Sequence, residues 1–145
     1  MASGRFAMAV HALALLATGE DGAPSEHLAG SVNTHAVFLR RVLRRLAAAG
    51  LIEAREGRGG GYRLARPAAT INLAEVYRIM EPQGPLVPSP CEPNHQCPVG
   101  AGMRAAFEST AAAARAGMEA ALSKQNVADV SRTALRRGRP ARLPA

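Results

Sequence analysis

The sequence predicts a mainly α-helical chain with one small β-hairpin and a long C-terminal helix. Three observations predict it. Apolar residues recur at helical spacing through the first third of the chain. A glycine-rich break flanked by two short apolar runs follows, and an alanine-rich stretch near the C-terminus keeps near-heptad periodicity. With 145 residues, 48% apolar and 20% charged, the chain is expected to form a domain with an added segment, and its composition argues against wholesale disorder. No apolar stretch reaches the ~20 residues of a membrane helix, and no secretory pattern opens the chain, so a soluble cytoplasmic protein is expected.

The first predicted helix covers residues 3–18, with Ser3 as its cap and Phe6, Val10, Leu13 and Ala17 on one face. Gly19-Glu20-Asp21-Gly22 ends it. A second, short helix runs from Ser25 to about Gly30, with Pro24 before the cap and Glu26 in the first turn, where the helix dipole favours an acid. Ser31-Val32 then leads tightly into a third helix. It is capped by Asn33 or Thr34, runs to Ala49 and stops at Gly50. Two helices joined by so tight a turn make a helix-turn-helix.

In the third helix Phe38, Val42, Leu43, Leu46 and Ala49 are expected to form the buried stripe, leaving His35, Arg40, Arg41, Arg44 and Arg45 largely outside it. Like charges four apart cost a few tenths of a kcal/mol per pair, roughly, in isolation. A solvated helix face normally mixes both signs, yet no acid occurs from 34 to 49. An external polyanion would remove the cost.

Leu51–Arg55 and Tyr62–Ala65 flank Glu56-Gly57-Arg58-Gly59-Gly60-Gly61 and read as a β-hairpin. The glycines do not form a nucleotide cradle, because no helix follows to offer its N-terminus. A flexible tip carrying Arg58 and Gly59 fits a wing that touches a DNA backbone or minor groove. Tyr62 suits either anchoring the hairpin or touching DNA.

Asn72 followed by Glu75 opens a helix over Leu73–Met80, whose stripe is Leu73, Val76, Tyr77 and Met80. Residues 81–98 are dense in proline, hold Cys91 and Cys97, and read as a loop. Pro98 starts a long helix over 99–124, where Met103, Phe107, Thr110, Ala114, Met118 and Ala121 or Leu122 recur near heptad spacing. So long a stripe on a thin domain calls for a partner, and a homodimer is expected. Asn126 and Asp129 start a last helix to about Arg136. The expected division is therefore a winged helix-turn-helix over 1–80, a cysteine loop over 81–98, dimerisation and final helices over 99–136, and a basic disordered tail over 137–145.

Charge points to the partner. The chain carries +7, and its basicity is confined to two segments: residues 34–66 hold eight arginines against two acids, and residues 132–145 hold five arginines and no acid. A merely Arg-rich surface would spread the charge, so double-stranded DNA is the leading partner. Asn33, Thr34 and His35 open the third helix, where base edges and phosphates are reached first. Arg40 and Arg41 are candidate base or phosphate contacts, and Arg44 suits a phosphate better than Arg45 does. Arg58 and Gly59 form the wing tip.

The order of these motifs closely resembles the Rrf2 family of bacterial winged-helix transcription factors over roughly residues 3–135. The resemblance rests on Ser31-Val32-Asn33-Thr34-His35-Ala36-Val37-Phe38-Leu39-Arg40-Arg41, on Gly59-Gly60-Gly61-Tyr62-Arg63-Leu64, and on Pro93-Asn94-His95-Gln96-Cys97-Pro98-Val99-Gly100. It implies a homodimeric repressor or dual regulator, with the third helix in the major groove, the wing on the minor groove or backbone, and the long helix crossing its twin. Cluster-bearing members usually offer three cysteines from the loop before the long helix. Here Cys91 and Cys97 match that spacing, but Met103 stands at the next interval, so the chain resembles the branch without an iron–sulfur cluster, and no cofactor is expected.

Cys91, His95 and Cys97 bring two thiols and an imidazole together without a standard zinc spacing, and His11 or Glu92 would have to complete a site. Cys97 precedes the long helix, where the dipole favours thiolate. One reading makes it oxidant-sensitive, with Cys91 or its counterpart in a second subunit resolving it; the other makes it an inert cap. His11 and His27 read as a structural and a surface histidine. No nucleophile elbow, P-loop or metalloprotease pair occurs, so no enzyme is expected. Three functions remain: a sequence-specific regulator responsive through Cys97 or to a small molecule, an iron–sulfur or metal sensor of the same fold, and a non-specific architectural protein.

Overall fold

The computed structural model describes residues 4–138. Ser3, read above as a helix cap, lies outside them, as do residues 139–145 of the segment read as a disordered tail over 137–145; within that segment Arg137 is the last residue of a helix and Gly138 its cap. Six α-helices and one two-stranded sheet follow in the order α1 Arg5–Leu16, α2 Ser25–Val32, α3 Ala36–Ala48, β1 Ile52–Arg55, β2 Gly61–Leu64, α4 Leu73–Met80, α5 Pro98–Leu122 and α6 Val127–Arg137. The chain is mainly helical with a β-hairpin wing, as its periodicities predict.

One core joins the elements. Ala9, Ala12 and Leu13 of α1, Leu28 of α2, Leu39, Leu43 and Leu46 of α3, Leu51, Ile71, and Val76 and Met80 of α4 are fully buried together. Burying each of the larger aliphatic side chains stabilises the fold by about 1.5–3 kcal/mol. Val127 of α6 belongs to the same cluster, and Ser131 Oγ donates to the Ala14 carbonyl of α1 at 2.9 Å. The C-terminal helix thus closes directly onto the first.

Several boundaries differ from expectation. Gly4, in the left-handed region, occupies the N-cap of α1, and the face of that helix turned inward carries Ala9, Ala12, Leu13 and Leu16, leaving Phe6, Val10 and Ala17 half-buried. The second helix extends through Ser31 and Val32, so these residues are helix and not connection. Asn33 is then the C-cap of α2, with φ 58°, a conformation asparagine tolerates better than most residues. His35, not Asn33 or Thr34, occupies the N-cap of α3.

The buried stripe of α3 is Leu39, Val42, Leu43 and Leu46; Phe38 is 54% exposed and Ala49 is exposed. Leu39 and Phe38 both stand three or four residues before Val42, so helical spacing alone does not choose between them. The end of α3 follows expectation. Gly50 takes φ 76°, its N–H reaches the Ala47 carbonyl and that of Leu51 reaches the Leu46 carbonyl, both at 3.0 Å. These two bonds satisfy carbonyls that the helix end would leave open.

The strands pair antiparallel, with Ile52 opposite Leu64 and Arg55 opposite Gly61. Leu73, Val76, Tyr77 and Met80 of α4 are all buried, as its stripe predicts. Its cap is Asn72, which accepts from the Ala74 N–H at 2.8 Å, while Glu75 pairs with Arg66 instead of closing a capping box. Asn126 and Asp129 do form a reciprocal capping box at the start of α6. The long helix α5 has no fully buried residue. Among the described residues, no helix is long and apolar enough to cross a membrane.

Candidate nucleic-acid interface

The turn between α2 and α3 closes when the Thr34 N–H reaches the Ala29 carbonyl at 3.1 Å. This presents Asn33 and His35 on the surface beside the start of α3, with Thr34 half-buried between them. His35 makes no side-chain capping bond, so its ring is not used in starting the helix.

Along α3, Val37, Arg40, Arg41 and Arg44 share one exposed face through spacings of three and four. Arg40 stands 3.9 Å from Glu26 of α2, a loose surface pair worth little. The Arg41 guanidinium lies 5.9 Å from the centre of the Phe38 ring, within range of a cation–π contact. Arg44 has no ion pair among the described residues. Arg45 is committed elsewhere, donating to the Met80 carbonyl of α4 at 3.2 Å. Val37, 62% exposed, is an apolar group on this helix that sequence reasoning did not single out, and Phe38, expected in the buried stripe, stands exposed beside it. The signal available was the absence of a second apolar face for them to join.

The wing is fixed at its base and free at its tip. Tyr62 and Ala23 exchange two backbone hydrogen bonds of 2.8 Å, tying β2 to the segment before α2, and the half-buried Tyr62 side chain packs against the core. Its position makes it an anchor of the hairpin. Gly22 sits opposite: a Cβ there would come within 2.3 Å of the Tyr62 carbonyl oxygen, and its φ of 75° suits glycine. Glu53 and Arg63 face each other across the strands and pair at 3.0 Å. Arg55, Arg58 and Gly59 remain exposed.

Cys97 caps α5, its Sγ accepting from the Gly100 N–H at 3.4 Å. Cys91 and Cys97 are exposed free thiols. His11 bonds Ser31 Oγ at 2.9 Å and so links α1 to α2. Glu119 of α5 is held below the usual carboxylate range by hydrogen bonds from Arg115 and Arg78, which outweigh its desolvation.

The sequence matches the Rrf2 family, described as iron-dependent transcriptional regulators, over residues 2–133. The chain belongs to that family. YwnA of Bacillus subtilis, a candidate HTH-type transcriptional regulator, is 35% identical over 130 residues, spanning 90% of this chain and 96% of YwnA. A crystal structure of a candidate DNA-binding protein is 33% identical and superposes with a TM-score of 0.68 over 87% of this chain and 97% of that one. A candidate transcriptional regulator from Lactobacillus plantarum, at 24% identity, shares the fold with a TM-score of 0.78 over 93% of this chain and 91% of its own.

The family description raises iron, and the residues do not fit it. Clusters are held mostly by thiolates, about four protein ligands in all. This chain has two cysteines, and among the described residues no group of three or more His, Cys, Asp or Glu is placed to hold a metal. The Rrf2 fold is kept here without the donor set such a cluster needs.

Proposed function

We propose that this Rrf2-family regulator is a homodimeric, sequence-specific DNA-binding repressor of the branch without an iron–sulfur cluster, acting by occupying DNA and not by catalysis. The observation that carries the reading is the face of α3. Three exposed arginines, Arg40, Arg41 and Arg44, follow one another there, and the helix contains no acid. Asn33, Thr34 and His35 precede them at the end of α3 that meets base edges first, and Arg58 and Gly59 at the wing tip reach the backbone or minor groove. Tyr62 serves by holding the wing in place. Dimerisation is supported by α5, a helix of 25 residues without a buried residue that exposes Met103 (52%).

Selecting bound duplexes from a randomised pool tests both parts. The expected product is a two-fold symmetric site with half-sites about one helical turn apart, bound ~10³-fold or more above a scrambled duplex at physiological salt. Equal affinity for both duplexes would favour a non-specific architectural role.

A redox response is a second reading, favoured by the position of Cys97 as the exposed cap of α5. Peroxide would oxidise the Cys97 thiolate to a sulfenic acid, releasing hydroxide. The Cys91 thiol, in the same or a second subunit, would then displace water to give a disulfide. Peroxide is expected to release DNA from the native chain and not from Cys97→Ser. Equal release from both chains would leave Cys97 a structural cap.

A further inference from the structure

A cleft of about 790 Å³ opens between the start of α1, Arg45 near the end of α3, the end of α4, the segment following it and α5. Phe6, Val87 and Met118 give it apolar walls, and Arg45 brings a guanidinium to it. Tyr77 lines the same cleft. It is 5% exposed, and its hydroxyl has no hydrogen-bond partner. Phe6 meets the Tyr77 ring edge-on with centroids 5.5 Å apart, which holds the ring in place.

A buried hydroxyl without a partner is costly, and solvent does not reach this one to relieve it. Arg45 spends one N–H on the Met80 carbonyl and has no ion pair among the described residues, so most of its donors are uncommitted. Arg5, also on the cleft, is already paired with Glu81 at 3.6 Å. The site therefore offers one uncommitted cation, one orphaned phenol donor and mainly apolar walls. Glu81 beside it disfavours a doubly charged anion such as a phosphate.

We propose that this cleft binds a small amphipathic monocarboxylate. Arg45 takes the carboxylate, the Tyr77 hydroxyl is the second donor, and Phe6, Val87 and Met118 cover the apolar body. The ligand reaches the hydroxyl by displacing the Pro82–Pro85 segment, which is held by the Arg115 guanidinium donating to the Pro82 carbonyl at 2.8 Å and by the Gly84 N–H donating to the Glu81 carbonyl at 3.0 Å. Clefts of this size with a few convergent polar groups are the usual form of small-ligand sites.

The test uses the full chain and three probes, benzoate, phenylacetate and octanoate, with their primary amides as neutral controls. Calorimetric titration is expected to show one saturable site per chain for at least one carboxylate, with its amide about tenfold weaker, as loss of a charge-assisted bond predicts. Arg45→Gln should remove the preference for the carboxylate over the amide. Tyr77→Phe should weaken binding severalfold while keeping or raising the melting temperature, since it deletes an unpartnered group. Methionine-methyl resonances locate the ligand independently: Met118 should shift and Met103 should not. No saturable carboxylate binding, equal binding of acid and amide, or a shift at Met103 instead of Met118 would overturn the proposal. None of these readouts involves DNA, so their failure leaves the DNA-binding reading untouched.

Discussion

Arg44 and Arg45 are adjacent in sequence and have opposite commitments. Arg44 projects from α3 without an ion pair among the described residues, whereas Arg45 bridges to the Met80 carbonyl. Arg44→Ala should therefore weaken binding to every duplex and lower the salt slope by about one, with stability changed by no more than about 0.5 kcal/mol. Arg45→Ala should lower stability by about 1 kcal/mol, read by urea denaturation. Arg58→Ala at the wing tip should behave as Arg44→Ala does, and an unchanged salt slope would remove the wing from the interface. Glu119 gives a pH-dependent case. Its folded carboxyl titrates below its unfolded value, so its contribution is present above the unfolded value and is lost as pH falls through the folded one. The stability difference between native and Glu119→Gln chains should thus be visible at neutral pH and close on acidification. A gap that persists in acid would assign the effect to packing. Sequence alone ranked Arg44 above Arg45 for phosphate contact, but the reason for Arg45's commitment lies in α4, 35 residues away, where no local pattern reveals it.

Elements whose signals are local were legible in the sequence. The Asn126/Asp129 capping box, the Gly50 stop and the four-residue stripe of α4 each depend on groups within one or two turns. The α2–α3 turn was less legible, because Asn33 fits equally as the cap of the following helix or as the left-handed end of the preceding one. The face of α3 was misread for a similar reason: Phe38 is the larger apolar group, but Leu39 is the one buried in the core, and Ala49 is exposed. The wing carries an element-scale prediction. Gly22→Ala would drive a Cβ into the Tyr62 carbonyl at a positive φ, so it should cost roughly 2 kcal/mol or more and loosen the hairpin, seen as faster amide exchange at Tyr62. Along α5, Met103→Glu places a charge on the exposed apolar stripe. Sedimentation should show a shift from dimer toward monomer, and an unchanged dimer would place the interface elsewhere.

At the scale of the whole molecule, α3 carries four arginines and no acid whereas the wing mixes Arg55, Arg58 and Arg63 with Glu53 and Glu56, and the excess of arginine over 34–66 was visible in charge counts before any element was placed. What counting could not supply was which helices share a core. Nothing in the local sequence of residues 127–131 announces that they close onto α1. Yet Val127 is fully buried in the central cluster, and Ser131 donates to Ala14 across 117 positions of chain. This closure has a consequence during synthesis. On the ribosome the helix-turn-helix emerges first, but its core stays open until residues 127–131 have followed, long after α5 has been made. Contacts of such sequence separation form late. A chain interrupted before that point would carry Arg40, Arg41 and Arg44 on a scaffold whose core still lacks Val127 and the bond from Ser131 to Ala14.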